Sequence, residues 1–466
     1  MSWTEQPELA AYLSRQRWFA GSQQVTVTRV QPLPWLSDPS ANPGVRFEIV
    51  SVVSVVSGSV PGSVGAGSEP GVYNVPLSYR SEPRDDLSYG FVGATTVDNR
   101  TFYVYDALHD PEARAVLLAG FTDAAATPEG IDYGRLPGFA LEPGVNNVLL
   151  GAEQSNTSVV AGDAMIKFFR RLSPGVNPDI EVQEALTQAG SDEISPLLGW
   201  IRGGGFDLAM AGLFQRSATD GWDTARASVR ALRDDAVRAR EAGGDFAGEA
   251  ERLGAATAAV HARLRELLPT AVWGSDERDA LVERLNWRLD AAAAAHPEVA
   301  EFVPGARAAY DRIDRSAPVE VQRIHGDFHL GQTLRTTAGW KIIDFEGEPS
   351  TPLEERVRLD SPLRDLAGML RSFDYVAHSI PAMTGVISLD PTIDEAALAD
   401  DWVRRNQIAF LFGYGFDRSD AAVALLRAYE IDKAVYEVAY EADHRPDWIG
   451  IPVRALKGLV GAPERP

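Results

Sequence analysis

The chain has 466 residues, which is long enough for two or three domains with extensive hydrophobic cores. Its 44 Lys and Arg residues against 66 Asp and Glu give a net charge of −22, which argues against binding to nucleic acid or to an anionic membrane. The absence of cysteine excludes disulfides and thiolate chemistry. We expect a cytoplasmic protein, because the sequence shows no signal peptide and no run of roughly 18 apolar residues.

The beginning of the chain is predicted to be a β-rich unit with a helical start. Apolar residues in 1–20 follow a helical period, whereas 24–60, 72–79 and 101–105 are rich in the β-branched and aromatic residues that strands favour. Residues 57–71 are rich in Ser, Gly and Pro, which predicts a flexible loop.

A hairpin and a helix are predicted next. Strands are predicted at 148–150, 157–160, 164–169 and 206–215. Asn177 followed by Pro178 is typical of a helix start, with Asn as the cap. The Gly203-Gly-Gly205 run indicates a turn, because no helix start follows it.

The remainder is predicted to be mainly helical. Helices are predicted at 223–242, 246–268, 279–295, 363–378 and 394–445, with strands at 319–324 and 340–345. A β-rich first part followed by a helix-rich second part predicts an α+β, bilobal, protein-kinase-like fold. We expect a cap subdomain over 1–110, a nucleotide-binding N-lobe over 111–216 and a helical C-lobe over 217–466 that carries the catalytic and metal motifs.

Two motifs in the helical part carry the chemistry. The first is His325-Gly-Asp-Phe-His-Leu-Gly-Gln332, and the second is Ile343-Asp-Phe-Glu-Gly-Glu-Pro349. Protein kinases use H-R-D-x-x-x-x-N followed by D-F-G, and Asp327 and Gln332 have the spacing of that first motif. Alone, Asp327 could cap a helix and His329 could be a core histidine. The joint order and spacing favour a catalytic base and oxygen ligands for magnesium.

A lysine in a predicted strand is the candidate phosphate ligand. Lys167 lies in Ala164-Met-Ile-Lys-Phe-Phe169, and the helix after it contains Glu181 and Glu184. Kinases pair such a lysine with a helical glutamate, so Glu181 is the favoured partner and Glu184 the reserve. The alternative is a half-exposed lysine and a solvated helix charge.

The turn before that strand is a second candidate for phosphate binding. Glu153-Gln-Ser-Asn-Thr-Ser158 lacks the glycine-rich pattern of protein kinases, but Ser155, Asn156 and Thr157 could offer backbone N–H groups and polar side chains to the phosphates of ATP. An ordinary polar hairpin turn fits the same residues.

With these residues in place, the sequence resembles the maltokinase family, relatives of the aminoglycoside phosphotransferases. The resemblance runs along most of the chain. It includes Arg17-Trp-Phe-Ala-Gly21, Tyr73-Asn-Val-Pro-Leu-Ser-Tyr-Arg80, Asp106-Ala-Leu-His-Asp110, Gln154-Ser-Asn-Thr-Ser158, Asn177-Pro-Asp-Ile-Glu181, the two catalytic motifs, Ser361-Pro-Leu-Arg-Asp-Leu-Ala-Gly-Met-Leu-Arg-Ser-Phe-Asp-Tyr375 and Tyr429-Glu-Ile-Asp-Lys433.

The resemblance implies a monomeric, ATP- and Mg²⁺-dependent enzyme that phosphorylates the anomeric hydroxyl of maltose for glycogen synthesis. It implies that Asp327 is the base, that Lys167 grips the phosphates, and that Gln332, Asp344 and Glu346 are metal ligands. The implied acceptor pocket is lined by Asp327, His329, Arg371, Tyr375, Tyr436 and Glu437, although helix packing is an equal alternative for the last four.

Other functions remain open at the level of the sequence. Actinobacterial glucosamine kinases resemble maltokinases in cap and motifs, and the Ser-, Gly- and Val-rich insertion at 51–71 leaves the acceptor undecided. The His-Gly-Asp-x-His pattern also occurs in antibiotic-inactivating phosphotransferases, but the N-terminal cap argues against them. A pseudokinase is disfavoured because the base and the metal ligands are all present, and a protein kinase because no A-P-E segment follows the second motif.

Overall fold

The structure is a computed structural model that describes residues 7–19, 25–54, 69–97, 100–123, 127–151, 155–235, 245–348, 351–384 and 395–461. Most of the predicted loop at 57–71, and part of the turn at 153–158, therefore lie outside the described residues. The chain divides into two compact units. The first comprises Met1–Glu184 and Ser195–Gln215, and the second comprises Ala185–Ile194 and Arg216–Pro466.

The first unit is built from strands with few helices. Its elements are α1 (Pro7–Leu13), β1 (Val25–Pro32), β2 (Gly44–Ser54), β3 (Glu69–Arg80), β4 (Phe91–Val97), β5 (Arg100–Asp106), α2 (Pro111–Thr122), β6 (Ile131–Arg135), β7 (Asn147–Leu149), β8 (Asn156–Ala161), β9 (Ala164–Phe169), β10 (Arg171–Leu172), α3 (Pro178–Gln188), β11 (Leu197–Gly203) and β12 (Phe206–Leu213).

Two antiparallel sheets organise this unit. One has the order β1-β2-β3-β5-β4, with β10 added to β3, and the other has the order β6-β11-β12-β9-β8-β7. One hydrophobic core contains Phe47 and Ile49 of β2, Phe121 of α2, and Ile166 and Phe168 of β9. The predicted cap and N-lobe thus share a core within one unit, while the predicted boundaries at 110 and 216 stay predictions.

The second unit is mainly helical. Its elements are β13 (Thr219–Asp220), α4 (Gly221–Asp235), α5 (Ala247–Leu267), β14 (Thr270–Trp273), α6 (Ser275–Ala295), α7 (Pro297–Ala300), α8 (Val303–Tyr310), β15 (Val319–Gln322), β16 (Thr333–Thr336), β17 (Gly339–Ile342), α9 (Leu353–Arg356), α10 (Leu363–Thr384), α11 (Glu395–Tyr414), α12 (Asp420–His444) and α13 (Gly450–Gly461).

Helices α5, α10, α11 and α12 form the body of this unit, with α10 packed against both α11 and α12. Two small sheets, β13-β16-β17 and β14-β15, frame the segment that contains the first catalytic motif, because that motif lies between β15 and β16. None of the helices in the described parts of the chain is both long enough and apolar enough to cross a membrane.

The predicted α+β, kinase-like fold class is confirmed, but several elements differ. Of the predicted helix over 1–20, the structure describes residues 7–19, and within that range the helix ends at Leu13. The predicted helix over 394–445 is two helices, because Gly415 adopts a φ of 73° and Ser419 caps α12. The sequence analysis gave no prediction for several elements, namely α2, β4, β6, β10 and β11 in the first unit and β13, β14, α7, α8, β16, α9 and α13 in the second. The predicted cap on α3 is confirmed, since Asn177 Oδ1 accepts the backbone N–H of Asp179 at 2.8 Å.

A buried ion pair joins the two sheets of the first unit. Arg170 follows β9 and Asp106 ends β5; both side chains are 0% exposed, and their nearest charged atoms are 2.8 Å apart. The carboxylate also accepts the hydroxyl of Tyr12 at 2.8 Å, and the Arg170 Nε donates to Thr157 Oγ1 at 2.8 Å. The guanidinium lies 4.5 Å from the ring centre of Trp18.

Asp106→Asn should therefore destabilise the fold by about 3–5 kcal/mol, because it leaves the buried Arg170 without a counter-charge. Asp86→Asn is the matched control, since Asp86 pairs with Arg84 at the surface, where solvent screens the interaction, and its loss should change stability far less. Urea unfolding of both variants measures the difference, and equal losses would contradict the buried pair as a main support of this unit.

Candidate active site

The first catalytic motif is a loop held by a buried carboxylate. Asp365, on α10, accepts the backbone N–H groups of His325 at 2.7 Å and Gly326 at 2.9 Å. His261 Nε2, on α5, lies 3.0 Å from the same carboxylate. Burial opposes the charge on Asp365, but His261 and the backbone donors outweigh it and lower the pKa of Asp365. The backbone of the loop is therefore held by the carboxylate of Asp365. Gly326 has a φ of 84°, a backbone conformation that favours glycine.

The second motif is joined to the first through His325. The His325 Nδ1 faces the backbone N–H of Asp327 at 3.4 Å, and its Nε2 lies 2.9 Å from the carbonyl of Ile343. An acceptor at Nδ1 and a donor at Nε2 describe one neutral tautomer. The backbone N–H of Ile343 also donates to the carbonyl of Gln332 at 3.1 Å. The residue before Asp344 thus has a fixed position relative to the loop that carries Asp327.

Asp327 is the candidate base, and its carboxylate is partly accessible. Its side chain is 21% exposed, and Lys433 Nζ lies 3.4 Å from Oδ1. Burial alone would raise the pKa of Asp327, but nearby groups outweigh burial and lower it, and the Lys433 ammonium is the largest of these influences. Asp327 is therefore a carboxylate at neutral pH, which is the form that can accept a proton.

His329 presents an N–H group beside this base. Its Nδ1 accepts the backbone N–H of Gly331 at 3.1 Å, and burial lowers its pKa although the nearby Asp327 carboxylate opposes that effect. A neutral ring with Nδ1 as acceptor carries its proton on Nε2. His329 can therefore donate a hydrogen bond to a substrate oxygen.

The predicted metal ligands form an oxygen-rich group. The Gln332 Nε2 donates to Asp344 Oδ2 at 3.1 Å, which orients the amide oxygen, and carboxylate oxygens of Asp344 and Glu346 lie within 4.8 Å of each other. Carboxylate and amide oxygens are suitable ligands for Mg²⁺, and a divalent cation would relieve the repulsion between the two carboxylates. The residues therefore fit the ion that the sequence predicts, and the assignment of each as a ligand stays a prediction.

The candidate phosphate ligand of the first unit has a partner that the sequence analysis missed. Lys167 Nζ, on β9, lies 3.3 Å from Asp179 Oδ2 in the first turn of α3. Asp179 is 1% exposed and also accepts Gln183 Nε2 at 2.7 Å. Glu181 lies two residues further along α3. Its pairing with Lys167, or that of Glu184, stays a prediction.

The predicted polar turn is only partly available to phosphate, because Asn156 and Thr157 are the first two residues of β8 and do not lie in a turn. Arg170 donates to the hydroxyl of Thr157, and the Asn156 Oδ1 accepts the backbone N–H of Arg170 at 3.4 Å. Ser155 is exposed. The predicted phosphate contact therefore rests on Ser155 and on the backbone, because Thr157 already serves an internal bond.

Three of the six predicted acceptor residues, Arg371, Tyr375 and Glu437, take part in a network of ion pairs and hydrogen bonds between α10 and α12. Arg371 lies 2.8 Å from Glu437 and 2.5 Å from Asp374, and the hydroxyl of Tyr375 donates to Glu441 at 3.1 Å. Burial raises the pKa of Glu437, and Arg371 opposes that effect. These contacts between α10 and α12 are those expected if the residues serve helix packing. That they also contact the substrate stays a prediction.

Tyr436 is the exposed member of the predicted acceptor set. It is 39% exposed, and its ring centre lies 5.0 Å from Lys433 Nζ. The residue that the sequence analysis did not assign to the site is Lys433. Lys433 ends one of the stretches that carry the family resemblance. Its position on a long helix, however, has no sequence spacing relative to Asp327 that would predict a contact between them.

Comparison with known proteins identifies two regions. Residues 12–110 match the family described as the maltokinase N-terminal cap domain, and residues 207–415 match the phosphotransferase enzyme family. A glucosamine kinase from Streptacidiphilus jiangxiensis is 28% identical over 370 residues, which cover 75% of this chain and 81% of that protein. A glucosamine kinase from Mycolicibacterium smegmatis (strain ATCC 700084 / mc(2)155) is 28% identical over 327 residues, covering 66% and 78%.

Solved structures show the same fold. A glucosamine kinase in complex with glucosamine, ADP and inorganic phosphate has a TM-score of 0.65 at 23% identity, covering 98% of this chain and 99% of that one. Crystal form B of a glucosamine kinase has a TM-score of 0.67 at 22% identity, covering 94% and 95%. The chain therefore contains a region that matches the maltokinase N-terminal cap domain and a region that matches the phosphotransferase enzyme family, and it is a kinase.

Proposed function

We propose that the protein is an ATP-dependent sugar kinase in which Asp327 accepts the proton of the acceptor hydroxyl. The observation that carries the proposal is the geometry of the catalytic loop, which holds a partly accessible carboxylate beside the Gln332–Asp344 pair. The hydroxyl oxygen attacks the γ-phosphorus of ATP, its proton passes to Asp327, and ADP leaves.

The nucleotide phosphates need cations. Lys167 would bind phosphate oxygens through its ammonium group, and Asp179 would hold that group in place. Asp344, Gln332 and Glu346 would hold Mg²⁺, which neutralises charge on the phosphates when it is bound. These roles agree with the family resemblance and with the described contacts of each residue.

Two acceptors have specific support. Glucosamine is supported by the two curated relatives, which are both glucosamine kinases and match most of this chain. Maltose is supported by the match of residues 12–110 to the maltokinase cap family. The proposal is therefore a sugar kinase with glucosamine as the first acceptor to test and maltose as the second, and a role in glycogen synthesis depends on the second. We also propose that the enzyme is a cytoplasmic monomer.

Release of ADP by the purified protein with Mg-ATP should depend on one of these sugars. Asp327→Asn keeps the shape of the side chain but removes the base, so turnover should fall on the order of 10² to 10⁴-fold. Asp314→Asn, at an exposed turn, is the control and should keep full activity. Sugar-dependent turnover by Asp327→Asn at the wild-type rate would remove Asp327 from this role, and wild-type inactivity on a broad sugar panel would reject the kinase proposal.

Lys167→Met should weaken the use of ATP more than the use of the sugar. Loss of a hydrogen bond to a charged phosphate costs about 1.5–3 kcal/mol, so kcat/KM for ATP should fall roughly ten- to a hundredfold. Lys457→Met, on the exposed side of α13, is the control. An unchanged kcat/KM for ATP with a stable Lys167→Met protein would show that Lys167 does not bind the phosphates.

Asp365→Asn should disturb the loop without touching the reactants. An amide oxygen replaces one carboxylate oxygen, but the new NH₂ group would face a backbone N–H that needs an acceptor. Displacement of Asp327 by about 1 Å should cost roughly 10²-fold in kcat. The measured affinity for Mg-ATP should change far less, and an equal loss in both quantities would indicate general unfolding rather than a local shift.

A further inference from the structure

A lysine on α12 bridges two carboxylates that belong to the two catalytic motifs. Lys433 Nζ lies 3.4 Å from Asp327 Oδ1 and 2.5 Å from Glu348 Oε1. The three side chains are 26%, 21% and 13% exposed, respectively. Burial opposes the charge on Lys433, but Glu348 and Asp327 outweigh it and raise its pKa, so the bridging group is an ammonium.

The bridge uses only one oxygen of Asp327. Lys433 contacts Oδ1, and no group among the described residues donates a hydrogen bond to Oδ2. A carboxylate that accepts a proton from a hydroxyl needs one oxygen accessible to that hydroxyl and a fixed orientation. Glu348 prevents Lys433 from moving fully onto Asp327, because it holds the same ammonium at the shorter distance.

We propose that Lys433 is a positioning residue for phosphoryl transfer: by bridging Asp327 to Glu348 it fixes the orientation of the base and leaves Asp327 Oδ2 for the acceptor hydroxyl. The inference rests on the proposed sugar kinase activity. The proposal gives α12, which lies outside the two catalytic motifs, a role in positioning the base.

The proposal predicts in which direction the pKa of Asp327 changes when a neighbouring charge is removed. The groups that face its carboxylate are Lys433 from α12 and His329 and His325 from its own loop. Glu348 shares the ammonium, so it weakens the effect of Lys433 on Asp327. Removing Lys433 should raise the pKa of Asp327, whereas removing the charge of Glu348 should lower it further.

The first variant is Lys433→Met, which keeps the length of the side chain but removes its charge. We expect kcat to fall roughly 10- to 10²-fold, with KM for ATP changed less than about twofold. Activity requires Asp327 without its proton, so the acidic limb of the pH profile of kcat/KM for the sugar should move to higher pH. Lys433→Arg should restore part of kcat, because a guanidinium can bridge the same carboxylates.

The second variant, Glu348→Gln, should move the acidic limb in the opposite direction, to lower pH. Opposite shifts for Lys433→Met and Glu348→Gln would show that both charges act on Asp327, which a purely structural role would not produce, and the loss of kcat in Lys433→Met with partial recovery in Lys433→Arg tests the bridge itself. Thermal unfolding is measured for each variant, and Lys457→Met is the control with an unmoved profile. Shifts in the same direction, or a Lys433→Met protein within about threefold of wild-type kcat and with an unmoved limb, would overturn the inference.

Failure of the proposed function would be visible separately. The wild-type protein is first tested on glucosamine, maltose and a panel of other sugars, and inactivity on all of them rejects the sugar kinase itself. In that case the same variants are compared by ADP release in the absence of sugar, with water as the acceptor. Opposite pH shifts in that reaction would still support the bridge, and identical profiles for all variants would overturn it.

Discussion

The candidate active site depends on one buried carboxylate that replaces missing backbone partners. A loop that leaves β15 and returns as β16 has N–H groups with no strand to pair with, and burying them unpaired would cost free energy. Asp365 accepts two of these groups, and His261 lies against the same carboxylate from α5. The position of the catalytic loop is thus determined by α5 and α10.

In the first unit, a buried ion pair fixes the strand that contains Lys167, as the buried carboxylate of Asp365 fixes the catalytic loop. Arg170 is fully buried at the end of the strand that contains Lys167, and Asp106 ends a strand of the other sheet. Paired and hydrogen-bonded charges are tolerated in a core, whereas a single charge is not. The orientation of β9, and with it the position of Lys167, therefore depends on Asp106 in the other sheet.

The motifs could be predicted from the sequence because their chemistry is local. Asp327, Gln332 and Asp344 lie within a short segment, so their spacing alone indicates a site, and the cap of α3 is equally local. Lys433 could not be found in this way, since about a hundred residues separate it from Asp327 and only the packing of α12 brings them together. Asp179 was missed for a different reason. Glu181 and Glu184 fit the family template, while the side chain that the helix start directs toward Lys167 is the shorter one.

The backbone at Asp344 restricts which residues this position can accept. Asp344 has a φ of 68°, in the left-handed region where most side chains clash with the backbone and where Gly, Asn and Asp are tolerated best. An alanine there would combine the loss of a carboxylate with roughly 1–2 kcal/mol of backbone strain. Asparagine keeps the conformation, and glycine relaxes it. Natural variation at this position should therefore be confined to a few small residues by geometry alone, even in a relative that had lost its catalytic activity.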